Sequence, residues 1–195
     1  MLTALREAFR DKMRGNACQD ALTHAEFFVQ DPPSPSPEPC FHYLAPARSR
    51  FDLRVVNEGQ RLVHLIKVDK CLYDIIDGRR CDCLLLTTEQ ACFVEFKAPS
   101  SDETTAGNLR YARAADCMEQ LERTIKEFIA RGIIPANALV LAYACVGRSP
   151  QYPYPGADFL KLRASFSERF LGLPVRVRLL VESTVVINKN PVSVG

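Results

Sequence analysis

The sequence has no surplus of charge of one sign. Its 25 Lys and Arg face 23 Asp and Glu, a formal net charge of +2. Any nucleic-acid surface must therefore be local, because the whole-chain field does not supply one. Long hydrophobic runs are also missing. The longest, Ile133 to Gly147, is interrupted by Pro135 and Asn137 and is too short to span a bilayer, so no membrane association is expected. No GxxxxGK[ST] or GxGxxG loop occurs, which excludes nucleotide-driven motor work of the usual kind. No CxxC pair occurs either. Cys18, His24, Cys40 and His42 therefore fit no standard zinc spacing, and no motif frames a cysteine nucleophile near His64. Eight cysteines in 195 residues fall below a disulfide scaffold. The stretch Met1 to Arg14 is charged throughout, without the apolar core of a secretion signal. The expectation is a cytoplasmic protein with reduced thiols, its strand cysteines 71, 81, 83 and 92 acting as small buried hydrophobes.

What is present fits one globular domain. Hydrophobic residues make up 47% and charged residues 25%, and a chain of this length can bury about 70% of its unfolded surface without a staple. Leu2, Leu5, Phe9 and Met13 recur at helical spacing, so residues 2–14 are expected as an amphipathic helix stopped by Gly15 and Asn16. Ala21, Leu22, Ala25, Phe28 and Val29 suggest a second helix over 17–30. Five prolines between Asp31 and Pro39 make that stretch an extended connector. Short apolar segments follow and predict strands at 53–57, 62–68, 72–76, 81–87 and 91–98, with Asp77-Gly78 as a hairpin turn. A long helix is expected over 109–130, a buried strand over 138–146, a helix over 157–171 and one or two strands in 175–187. The fold class is α/β: a central mixed sheet flanked by helices, with a core at about 50–147.

The chemistry concentrates in one stretch. Glu95 and Lys97, two apart on a strand, share a face, while Val94 and Phe96 take the other. Asp82 opens the preceding strand and converges on the same face if Cys81, Cys83, Val94 and Phe96 point into the core. Two carboxylates and an ammonium placed on adjoining strands are costly without a purpose. Two carboxylates with a main-chain carbonyl, here that of Phe96, suit Mg²⁺ or Mn²⁺. Arg80, two residues before Asp82, and Arg110 and Arg113, which begin the long helix, are the leading candidates for phosphate contacts. Arg48, Arg50, Arg54 and Arg79 are further basic positions, and Tyr152 and Tyr154 are candidates for stacking on bases.

Asp82, twelve intervening residues and Glu95-Phe96-Lys97 resemble the site of the PD-(D/E)xK, or restriction-endonuclease-like, nuclease superfamily. The resemblance covers roughly residues 17–147. It implies a core of helix, three-stranded meander, helix and strand. It implies that Asp82, Glu95 and the Phe96 carbonyl bind Mg²⁺ or Mn²⁺ and that Lys97 assists catalysis. Gln120, in Cys117-Met-Glu-Gln-Leu121, is similar to the helical glutamine of the branches related to recombination exonucleases. For the upstream helical glutamate of the family, Glu7, Glu26 and Glu58 are candidates, with Glu26 preferred. The proline that usually precedes the aspartate is replaced by Cys81. The implied activity is phosphodiester hydrolysis, on DNA in preference to RNA, in restriction, repair or antiviral defence, with specificity supplied by a homodimer or a partner protein. The alternative expectation is a non-catalytic scaffold subunit of a nucleic-acid-processing complex that keeps this fold.

Overall fold

The computed structural model describes residues 1–33, 35–44, 51–97, 107–146 and 157–187. The chain is α/β. Three α-helices are present among the described residues: α1 (Leu2–Ala8), α2 (Gly107–Ala130) and α3 (Ala157–Glu168). The strands are β1 (Gln19–Leu22), β2 (Glu26–Gln30), β3 (Phe41–Tyr43), β4 (Leu53–Val56), β5 (Val63–Lys67), β6 (Cys83–Leu86), β7 (Ala91–Lys97), β8 (Leu139–Val146), β9 (Arg176–Leu180) and β10 (Thr184–Val186).

Two sheets result. The larger runs β1-β5-β6-β7-β8-β9, and the smaller β10-β4-β2-β3. Within the larger sheet β5, β6 and β7 form an antiparallel meander. Helix α2 then carries the chain to β8, which lies parallel to β7, and α3 carries it to β9, parallel to β8. Strand β6 is apolar throughout because both of its faces are covered. Leu84, Leu86, Ala91 and Phe93 meet Leu121, Ile125 and Phe128 of α2, and the Phe93 and Phe128 rings pack edge to face with centroids 5.3 Å apart. Cys83, Leu85, Cys92, Val94 and Phe96 face the other way, onto Phe27, Val29, Leu53 and Val55 of the smaller sheet.

That second layer corrects the expectation of helices on both faces. Helices cover one face of the central sheet, and a four-stranded sheet covers the other. The expected helix over 17–30 is instead β1 and β2. Phe27, Phe28 and Val29 are consecutive strand-forming residues, and pairing of β2 with β4 overrides a spacing that also suits a helix. Phe27 and Val29 enter the core while Phe28 stacks on Tyr43. The first helix is shorter than expected. Leu5, Phe9 and Met13 are all buried, and Gly15 and Asn16 stop the segment with φ of +68° and +61°.

No strand forms over 72–76. Tyr73 makes an isolated bridge with Asp69, and a 3-10 turn over Ile75–Asp77 follows. Gly78 does take positive φ, at +78°, but within a long connection rather than a tight hairpin. The turn between β6 and β7 is polar as expected, and the Thr87 hydroxyl accepts the N–H groups of Glu89 and Gln90. The last two strands part company: β9 extends the larger sheet, and β10 pairs parallel with β4 in the smaller. No helix among the described residues is long and apolar enough to cross a membrane.

One thiol pair departs from the expectation of reduced cysteines. Cys18 and Cys71 form a disulfide that joins the start of β1 to the connection after β5. A separation of 53 residues gives no local sequence signal. Cys40, Cys81, Cys83, Cys92, Cys117 and Cys145 are free and buried. Burial pushes the Cys81, Cys83, Cys92, Cys117 and Cys145 thiols upward, so they are neutral packing groups.

Candidate active site

The site is assembled where β6 begins and β7 ends. Register pairs Cys83 with Val94, so the next step of the ladder sets Asp82 across from Glu95. Alternation along β7 turns Val94 and Phe96 into the inter-sheet core and leaves Glu95 and Lys97 on the helix side, and Asp82, just before β6, is joined to this strand end by its bond to the Phe96 N–H. This face is only partly open to solvent: α2 lies over it and Glu95 is 2% exposed, while Asp82, Lys97 and Gln120 keep some exposed surface.

Asp82 Oδ2 accepts the Phe96 N–H at 2.6 Å. The Asp82 carbonyl accepts the N–H of Val68 at 2.9 Å and of Asp69 at 3.3 Å, fixing the residue from behind. Glu95 Oε1 accepts two bonds, from Lys97 Nζ at 2.9 Å and from Gln120 Nε2 at 2.5 Å. Glu95 Oε2 is buried and accepts no hydrogen bond among the described residues. The Asp82 carboxyl lies within hydrogen-bond reach of Glu95, and whichever of the two carries a proton donates it to the other.

Helix α2 is bolted in place by Thr124. Its fully buried hydroxyl accepts the Cys81 N–H at 2.9 Å and donates to the Gln120 carbonyl at 2.8 Å. A single side chain thus couples the residue before Asp82 to the turn that presents Gln120. Nothing in the sequence distinguished this threonine from an ordinary helical one.

The electrostatics are unbalanced. Burial, and then the charge of Glu95, raise the Asp82 carboxyl well above its usual range. Although Asp82 keeps a little exposed surface, protein atoms surround its carboxyl. Burial pushes Glu95 up to about 7, although Lys97 opposes the shift. Asp31 adds to the repulsion on Asp82 and Asp69 to that on Glu95. Burial pulls Lys97 down, but Glu95, with Cys117 and Asp82 adding to it, outweighs burial, so Lys97 stands above its ordinary value as an ammonium. Asp31 and Asp69 escaped the sequence reading because their proximity arises from the connection after β5 and the end of β2.

A raised carboxyl has a signed consequence for stability. Below about pH 4.5 both folded and unfolded chains hold the Glu95 proton. Between there and about 7 only the folded chain holds it, so stability falls as pH rises, and above about 7 the full penalty remains. A shift of this size corresponds to the order of 3 kcal/mol. In a chelator, Glu95→Gln is therefore expected to melt roughly 6–12 °C above wild type at pH 8, with no gain at pH 4. Thermal melts of both proteins across pH check this, and parallel curves would contradict it.

The other sequence candidates are placed as follows. Arg80 is not free for phosphates. It is 7% exposed, its Nε and Nη2 donate to Glu127 Oε2 at 3.1 and 2.8 Å, and its Nη1 donates to the carbonyls of Asp77, Gly78 and Arg79. Its guanidinium lies over the Tyr73 ring. The strand alternation that put Arg80 on the face of Asp82 fails because β6 starts only at Cys83. Glu26 is not brought to Asp82 and Glu95: it sits in the smaller sheet, bound to Arg54 at 2.6 Å. Arg113 is half-buried on α2, seven residues before Gln120 and so on the same helix face. The side chain of Arg110, and Arg48, Arg50, Tyr152 and Tyr154, lie outside the described residues. Cys18 is in the disulfide, and His42 Nδ1 bonds Asp20 at 3.0 Å.

A divalent ion fits this arrangement in one respect that the structure itself supplies. Glu95 Oε2 is a buried carboxyl oxygen with no neighbouring donor other than the Asp82 carboxyl beside it, so two protonatable carboxyls face each other there. Among the described residues no three His, Cys, Asp or Glu side chains gather as a complete cage. Mg²⁺ does not require one, being commonly held by one or two carboxylates with water and substrate phosphate. Compared with family models, with curated proteins and with solved structures, the chain matches none.

Proposed function

We propose that this chain is a divalent-metal-dependent nuclease with a restriction-endonuclease-like core. The observation that carries the reading is the buried pair of carboxyls: Glu95 Oε2 has no neighbour to pair with but the Asp82 carboxyl, while Lys97 and Gln120 occupy the other oxygen. The order of the meander β5–β6–β7, helix α2 and parallel strand β8 supports it, because Asp82 precedes the second strand of that meander and Glu95-Phe96-Lys97 closes the third.

Asp82, Glu95 and the Phe96 carbonyl would hold Mg²⁺ or Mn²⁺. A bound ion of this kind supplies a Lewis acid that polarises a phosphodiester and lowers the pKa of a bound water. The chain's own residues do the rest. Gln120 and Lys97 fix Glu95 Oε1 and leave Oε2 aimed at the site. The Phe96 N–H orients Asp82. Lys97, charged and about a quarter exposed, places a cation where a phosphate under attack gains negative charge. The resemblance favours DNA as substrate and a second copy or partner protein as the source of specificity.

Calorimetric titration with Mn²⁺ tests the metal half of this reading. Wild type should bind and release protons at neutral pH, because both carboxyls must ionise. Asp82→Asn and Glu95→Gln should each lose at least about tenfold in affinity. Equal binding by all three proteins would reject the site.

A further inference from the structure

Next to Lys97 and Gln120 lies a cleft of about 380 Å³ lined by Arg79, Lys97, Asp116, Glu119, Gln120 and Arg123. Four of these residues come from one face of α2, at spacings i, i+3, i+4 and i+7, so the row is about 10 Å long. Gln120, the contact of Glu95, sits within that row. Arg123 lies one turn further along, and Arg79 comes from the turn beside it.

These two arginines differ from the others around α2. Arg80 and Arg131 are ion-paired with Glu127, and Arg169 with Glu122. Arg79 and Arg123 are exposed and carry no ion pair among the described residues. The side-chain contact of Arg123 there is a long one, Nη2 to the Asp77 carbonyl at 3.5 Å. Its guanidinium nevertheless has a defined place, lying over Gly78, where an added Cβ would stand 2.8 Å from Nη1. The missing side chain at Gly78 thus lets Arg123 settle against the turn that carries Arg79. Two guanidinium groups without an ion pair among the described residues thus line the same cleft, with Lys97 next to the carboxyl pair.

Asp116 and Glu119 stand toward the other end of the helical row and are likewise exposed. They repel a polyanion there, so a negatively charged strand is confined to the Arg79–Arg123 end. We infer that Arg79 and Arg123 form a phosphate subsite that holds the nucleic-acid backbone beside the scissile group. The inference rests on the nuclease reading for the identity of its ligand. It assigns phosphate binding to two residues other than Arg80, whose guanidinium is spent on Glu127 and on main-chain carbonyls.

The test is fluorescence anisotropy with a labelled DNA duplex over a salt series, in an Asp82→Asn background that prevents cleavage. Arg79→Ala/Arg123→Ala should weaken binding at least about tenfold at low salt. It should also flatten the slope of log affinity against log salt by about 1.8, at about 0.9 per lost phosphate contact. Arg79→Lys/Arg123→Lys should restore most of the slope, and Arg176→Ala, an exposed change on β9, should leave it unaltered. An unchanged slope in the alanine pair, or no duplex binding by the parent, would overturn the inference. Mn²⁺-dependent cleavage by the protein with Asp82 intact separates the two ideas. Cleavage with an unchanged slope rejects the arginine pair alone. Arginine-dependent binding without cleavage keeps the pair and rejects the nuclease.

Discussion

Replacing Asp82 by Ala is expected to lower metal-dependent phosphodiester cleavage by about 10³-fold or more, equivalent to about 4 kcal/mol of transition-state stabilisation. Two losses combine in that variant. The carboxylate beside Glu95 Oε2 disappears, and the Phe96 N–H loses its 2.6 Å acceptor, so the main chain between Glu95 and Lys97 is no longer oriented. Asp82→Asn separates them, because the amide oxygen still accepts the N–H while the charge is gone. Lys97→Ala should cost about 10²–10³-fold, the range for removing one charge-stabilising group. Gln120 acts through Glu95, so Gln120→Ala should cost only about tenfold and should weaken Mn²⁺ binding in parallel. Single-turnover rates with metal titrations check the series. Asp82→Ala retaining a tenth of wild-type activity would show that the carboxylate pair is not the reaction centre.

The second large effect concerns folding. Breaking the Cys18–Cys71 disulfide, as Cys18→Ser/Cys71→Ser or by reduction, should cost about 4 kcal/mol in the chain-entropy account for a loop of this length. The bridge also bears on the site. It anchors the connection after β5, whose Val68 and Asp69 N–H groups hold the Asp82 carbonyl. The double variant is therefore expected to lose thermal stability and to bind Mn²⁺ less tightly. Denaturant titrations of oxidised and disulfide-free protein measure the first effect. Identical midpoints would contradict it.

Much of the site was legible because strand chemistry is periodic. Glu95 and Lys97 had to share a face, and the antiparallel β6–β7 pairing brought Asp82 to the same level. Gln120 could be anticipated from the resemblance, and the structure seats it on Glu95. The residues that escaped are those whose roles depend on long-range packing. Phe27 to Val29 suited a helix by spacing and became a strand once β4 was available. Arg80 looked like a phosphate ligand only while the strand was assumed to begin before it, and Glu127, from a helix 47 residues on, claims it instead. Thr124, Asp31, Asp69 and Arg123 belong to no motif and acquire meaning only from the turn, the helix and the strand end that converge there. The smaller sheet was hidden for the same reason. Three of its strands come from residues 26–56 and the fourth from residues 184–186.

The central claim is that Asp82, Glu95 and Lys97 form a metal-dependent phosphodiesterase centre. The most direct measurement is a cleavage assay with Mg²⁺, Mn²⁺ or chelator on linear, circular, branched and single-stranded DNA and on RNA, with Asp82→Asn and Lys97→Ala alongside wild type. The account predicts cleavage of at least one DNA form that requires the ion and is lost in both variants. Absence of cleavage on every substrate, or metal-dependent cleavage that survives both substitutions, would contradict it.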